Sequence, residues 1–133
     1  MVSPSESRHA VVIEDDPDIR GLLVRVLVKQ GFDVTHAGAG LPGVEEVRRR
    51  KPDLVTLDLN MPVLDGKGVV ERMRASATWR RVPVLVLSGS MEAPSWVKEI
   101  GAAGYLQKPF SLDALARMVE RLVPHGPSLL PKR

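Results

Sequence analysis

Apolar residues along the chain fall into two alternating kinds of segment. Short unbroken runs stop at a polar residue, and between them lie longer stretches in which apolar residues recur every three or four positions. The first run, His9 to Glu14, reads as a buried strand ending in acids. Asp16 then supplies a helix cap and Pro17 a first-turn proline. Ile19, Leu22, Leu23, Val26 and Leu27 follow at helical spacing until Gly31 closes the helix. Phe32 to His36 reads as a second strand, and Leu41, Val44 and Val47 mark a helix that stops at Pro52. Leu54, Val55 and Leu57 form a third run, apolar enough for a central strand covered on both faces; it ends at Asp58, before a turn rich in Pro, Asp and Gly. Val69, Val70 and Met73 mark a third helix. Pro83 to Ser88 is a fourth strand ending in a hydroxyl, Met91 to Ile100 a short helix with Pro94 in its first turn, and Gly104 to Gln107 a brief fifth strand. Ser111 caps a last helix whose Leu112, Leu115, Met118, Val119 and Leu122 share one stripe, stopped by Pro124.

Five strands alternating with five helices predict an α/β fold: a doubly wound, mostly parallel sheet with helices on both faces and right-handed crossovers. At 133 residues and 44% hydrophobic, the chain suits one domain with a sizeable core. We place that domain at residues 9–123, after a disordered tail over residues 1–8 and before a Pro-rich C-terminal tail or linker start over 124–133. The absence of Cys excludes thiolate metal sites and Cys nucleophiles. The net charge of +3 and pI near 9.6 are mildly basic. The obvious cluster, Arg48 to Lys51, sits at a predicted helix end, where the helix dipole favours cations, so direct nucleic-acid binding is not expected. No apolar run approaches the roughly 18 residues of a membrane span, and we read the chain as cytoplasmic, with no membrane partner.

Parallel strands put their carboxyl ends on one rim, where ligands bind in open α/β sheets. Glu14, Asp15, Asp58, Ser88 and Lys108 each follow a predicted strand and should meet there. Three carboxylates and one ammonium leave a net charge of −2, and each like-charge pair at ~4 Å costs about 4 kcal/mol at an effective dielectric of ~20. One divalent cation balances that charge, and hard oxygen ligands favour Mg²⁺.

Glu14 with Asp15, Asp58 with Met61, Pro62, Asp65 and Gly66, Ser88 with Gly89, and Tyr105 through Lys108, Pro109 and Phe110 occur in this order over residues 9–123. As a set they resemble the receiver domain of two-component response regulators. The resemblance implies a flavodoxin-like strand order 2-1-3-4-5, with Asp58 accepting a phosphoryl group from a phosphohistidine on a sensor histidine kinase or phosphotransfer protein. It implies Mg²⁺ held by Asp15, Asp58 and the Asn60 backbone carbonyl, with Glu14 acting through a water. Lys108 would pair with the phosphoryl group, Ser88 would donate its hydroxyl to it, and Gly89 would leave room for the donor. Asn60 and Ser90 would flank the path of a hydrolytic water. Ser88 and Tyr105 become the switch pair, acting on a face built from the fourth helix, fifth strand and fifth helix that would meet an output domain, a downstream protein or a second copy. A cis Lys108–Pro109 bond is also implied. The segment between Ser88 and Lys108 is shorter than in many receivers, so we expect a short or irregular fourth helix, carrying Trp96.

Rival readings exist. Gly38, Gly40 and Gly43 form a G-x-G-x-x-G pattern with Asp58 lying 20 residues beyond Gly38, as in a dinucleotide fingerprint. That pattern follows the second strand rather than the first, and Pro42 interrupts the helix start. An aspartyl-phosphate phosphatase would need a second Asp where Asn60 stands. A receiver used only for docking would not need the full set of phosphorylation residues.

Overall fold

A computed structural model describes residues 8–61, 65–90, 94–99 and 101–124, apart from the side chain of Trp96. The expectations placed on residues 1–7, Pro62, Met91, Ile100, the Trp96 side chain and residues 125–133 lie outside the described residues. Among the described residues ten elements alternate: β1 (Arg8–Ile13), α1 (Pro17–Lys29), β2 (Phe32–Ala37), α2 (Gly40–Arg50), β3 (Leu54–Asp58), α3 (Gly66–Ala75), β4 (Val84–Ser88), α4 (Ser95–Glu99), β5 (Gly104–Gln107) and α5 (Leu112–Leu122). Every strand pairing is parallel and the sheet order is β2-β1-β3-β4-β5.

Because side chains alternate across a strand, β1 feeds two cores at once. Val11 and Ile13 join Val55, Leu57, Val84 and Val86 beneath Val47 of α2 and Val69, Val70 and Met73 of α3. Ala10 and Val12 face the other way, joining Leu54, Leu85 and Leu87 beneath Leu23 and Leu27 of α1 and Leu115 and Val119 of α5. Residues of β3 and β4 are buried throughout, so the acceptor strand is fixed from both sides.

Caps set the helix starts where the sequence placed them. Asp16 accepts from the amides of Asp18 and Ile19, and Ser111 accepts from Ala114. Asp65 does the same for α3 through Gly68. Pro42 does not interrupt α2; it lies in the first turn of a helix that begins at Gly40, where a missing N–H costs no helical bond. Gly43 lets α2 lie directly on β1, since a Cβ there would meet the Ile13 side chain at 2.5 Å. Among the described residues the fourth helix covers only Ser95–Glu99, and Pro94, expected in its first turn, instead precedes it.

One boundary needs correction. Arg8, assigned above to the disordered tail, is the first residue of β1 and only 4% exposed. Its guanidinium donates to the carbonyl oxygens of Val123 and Pro124, at 2.9 and 3.1 Å, and to that of Gln30, and it lies 4.3 Å from the Phe32 ring centroid. The buried charge is thus shared among carbonyls at the C-terminal ends of α1 and α5, where the helix dipoles favour a cation.

Candidate functional site

Hydrogen bonding of the sheet continues past the strand ends and carries the polar residues to one rim. Glu14 N–H donates to the Ala37 carbonyl at 3.0 Å, Leu59 N–H to Leu87 at 3.0 Å, and Lys108 N–H to Ser88 at 2.7 Å. Glu14, Asp58 and Lys108 therefore arrive together from β1, β3 and β5 although they are far apart in the chain.

Glu14, Asp15 and Asp58 each present a carboxylate oxygen, and the three oxygens lie within 4.8 Å of one another. Glu14 is fully buried, Asp58 is 3% exposed, and Asp15 is open to solvent. The Lys108 Nζ lies 2.9 and 3.2 Å from the two Glu14 oxygens and 3.4 Å from Asp58 Oδ1. Asp58 Oδ1 also accepts from the Asn60 amide at 3.1 Å, and a Glu14 oxygen accepts from the Asp16 amide at 3.3 Å.

Electrostatics follow from that crowding. Burial raises the Glu14 carboxyl to about 7, with the Asp58 charge adding to the rise and Lys108 opposing it. Burial also raises Asp58, against the hydrogen bond from Asn60; the neighbouring Asp15 carboxyl raises it further. Burial disfavours the Lys108 ammonium, but its contacts with Glu14 and Asp58 more than offset this and its pKa is raised. The site is short of positive charge. Glu14 Oε1 is buried and meets Lys108 as an ion pair without accepting an aligned hydrogen bond. Hard, partly unsatisfied oxygen donors around an excess of negative charge fit a divalent cation with oxygen preference.

A second chain of contacts leaves the rim. Ser88, 2% exposed, accepts through Oγ from the Ser90 amide at 3.1 Å, and the Tyr105 hydroxyl donates to the Ser90 carbonyl at 2.6 Å. Tyr105 is half-buried against the core that contains Val86 and Val97. Gly89 is exposed, and a Cβ there would meet nothing within 4 Å. Asn60 is exposed at the same rim. The Lys108–Pro109 peptide is cis. Gly38 stands in the β2–α2 turn beside the Glu14 carbonyl, and Gly40 and Gly43 lie in α2, so the glycine pattern follows β2 and not β1.

The family model for the response regulator receiver domain matches residues 10–120. The chain belongs to that family. Its relatives include the transcriptional regulatory protein PrrA of Mycobacterium tuberculosis, 40% identical over 119 residues; these cover 88% of this chain and 50% of PrrA. The chain thus spans about half the length of that relative. The chemotaxis response regulator CheY4 of Vibrio cholerae superposes with a TM-score of 0.84 at 25% identity, covering 88% of this chain and 99% of CheY4. The receiver domain of the Pseudomonas aeruginosa sensor histidine kinase PA1611 superposes at 0.75 with 29% identity, covering 87% of this chain and 97% of that domain, and holds a magnesium ion in its active site cleft.

Within this receiver, Glu14, Asp15, Asp58 and Lys108 form one cluster, while Ser88 and Tyr105 meet through Ser90 rather than directly. Sequence reasoning overlooked Arg20, whose Nη1 donates to the Glu14 backbone carbonyl at 3.0 Å. The available signal was its place: an arginine in the first turn of a helix opposes the helix dipole.

Proposed function

We propose that this receiver accepts a phosphoryl group on Asp58 from a phosphohistidine of a sensor kinase or phosphotransfer protein. The observation that carries the reading is the nearly enclosed Asp58 carboxylate, with Lys108 at 3.4 Å and two further carboxylates within 4.8 Å. Asp58 oxygen forms a bond to phosphorus as the phosphorus–nitrogen bond breaks, and the imidazole leaves with the electron pair. The protein's share of such chemistry is positioning and charge neutralisation. Asn60 N–H and Lys108 hold the carboxylate still. Mg²⁺, bound by Asp15, Asp58 and the Asn60 carbonyl with Glu14 through a water, would draw negative charge from the transferring oxygens.

Lys108 is the group that changes partner: engaged mainly with Glu14 in this state, it turns to the new phosphoryl oxygens. Ser88 turns its hydroxyl to the same oxygens and gives up the Ser90 amide. Ser90 is also the acceptor for Tyr105, so a shift of its backbone releases the ring to turn inward. Phosphorylation thereby favours one of two states of the α4, β5 and α5 face. That face would engage an output domain, a downstream protein or a second copy. The chain acts as a cytoplasmic signalling domain that takes part in its own phosphorylation and slow dephosphorylation, rather than as an enzyme acting on a separate substrate.

Incubation with a small acyl phosphate, with and without Mg²⁺, followed by intact mass measurement tests the proposal. Wild type gains one phosphoryl group only with Mg²⁺, and Asp58→Asn gains none. Equal labelling of Asp58→Asn would refute the assignment.

A further inference from the structure

The three carboxylates of the site are not held equally. Glu14 is fixed by the hydrogen bond its N–H donates to the Ala37 carbonyl and by Lys108, and Asp58 by Asn60 and by its place in a fully buried strand. Asp15 is exposed and sits in the turn between β1 and α1. Its direction depends on the peptide unit before it, which contains the Glu14 carbonyl. That unit is planar, so orienting the carbonyl orients the bond leading to the Asp15 Cα.

Arg20 supplies this constraint. It reaches back from the first turn of α1 to donate to the Glu14 carbonyl at 3.0 Å, while its own amide is tied to the Asp16 carbonyl at 2.8 Å. Its guanidinium passes beside Gly38 in the β2–α2 turn, where an added Cβ would stand 3.0 Å from Nη1 and 4.0 Å from the Glu14 oxygen. The missing side chain at Gly38 is what leaves room for the contact. Asp16 fixes the far side of Asp15 by capping α1.

We infer that Arg20 is a positioning residue for the cation site, holding the Glu14–Asp15 peptide so that Asp15 points at the cation, and that Gly38 serves this by leaving the guanidinium its path. The inference rests on the Mg²⁺ reading of the acidic cluster. Groups that orient metal ligands without touching the metal typically control affinity by 10–100-fold when removed.

Calorimetric titration with Mg²⁺ alone on the full chain tests it, beside melting curves recorded without metal. Arg20→Ala should bind Mg²⁺ on the order of tenfold more weakly, with Arg20→Lys recovering part of the loss. Gly38→Ala should fold normally, since the atom it crowds is the far end of a flexible side chain, yet weaken Mg²⁺ binding in the same direction. In the double variant the methyl has no guanidinium to displace, so its affinity should equal that of Arg20→Ala. Arg20→Ala binding within twofold of wild type would overturn the inference, as would an undiminished effect of Gly38→Ala in the Arg20→Ala background. Wild type that binds no Mg²⁺ would remove the metal reading itself, and the inference with it.

Discussion

Replacing Glu14 by Gln isolates a carboxylate whose charge burial disfavours. The carboxyl titrates at about 7 in the fold against 4.5 ordinarily, so the folded state binds the proton more tightly than the unfolded chain. The sign follows: Glu14 favours folding most below 4.5, its contribution falls as pH rises toward 7, and it is constant above that. At 1.36 kcal/mol per pKa unit the whole change is about 3 kcal/mol, of which roughly 2–3 kcal/mol falls between pH 5 and 8. Asp58 titrates together with Glu14 while Lys108 keeps its charge over this range, so the change belongs to the carboxylate pair. Urea unfolding of wild type and Glu14→Gln at several pH values, with chelator present, reads the difference. Glu14→Gln should match or trail wild type near pH 5 and gain on it steadily up to about pH 7, then run parallel. A stability difference independent of pH from 5 to 8 would refute the reasoning. Because a cation competes with that proton, wild-type Mg²⁺ affinity should also decline as pH drops below about 7, with a shallower decline in Glu14→Gln.

Other perturbations probe different parts of the structure. Lys108→Ala should still bind Mg²⁺, because its ammonium competes with the cation for Glu14 and Asp58, but phosphorylation should no longer alter the Tyr105 environment; unaltered switching, followed by ring NMR signals, would remove Lys108 from the mechanism. Gly66→Ala would place a Cβ 2.8 Å from Leu59 Cα and 2.9 Å from the Asp58 carbonyl, backbone atoms that cannot step aside. It should cost about 1–3 kcal/mol in urea unfolding. Arg8→Met removes a cation bonded to three carbonyls and should cost roughly 2–4 kcal/mol by the same assay, leaving Mg²⁺ affinity unchanged.

Much of this architecture is legible in the sequence because local and global signals agree. Leu54, Val55 and Leu57 put apolar side chains on both faces of β3, and the strand is buried on both faces; Asp16 and Ser111 were placed as caps from their positions alone and bond as caps do. The convergence of Glu14, Asp15, Asp58 and Lys108 followed from parallel topology, since every strand ends on the same rim. What was not legible depends on long side chains whose reach is invisible in one dimension. Arg8 looked like part of a polar tail because its burial relies on carbonyls of residues 30, 123 and 124. Arg20 gave no apolar period to read, and its bond to Glu14 needs the space above Gly38. Ser90 was read only as a neighbour of the water path, whereas its backbone joins Ser88 at the end of β4 to Tyr105 of β5, a link that no spacing rule anticipates.

The assignment of Asp58 as the phosphorylated oxygen is open to a direct chemical measurement. An acyl phosphate on an aspartyl side chain is reduced by borohydride to homoserine, while phosphate esters and untouched carboxylates are not. After labelling with an acyl phosphate and Mg²⁺, reduction and peptide sequencing should find homoserine at position 58 and aspartate at position 15. Homoserine elsewhere, or an intact aspartate at 58 in labelled protein, would contradict the account.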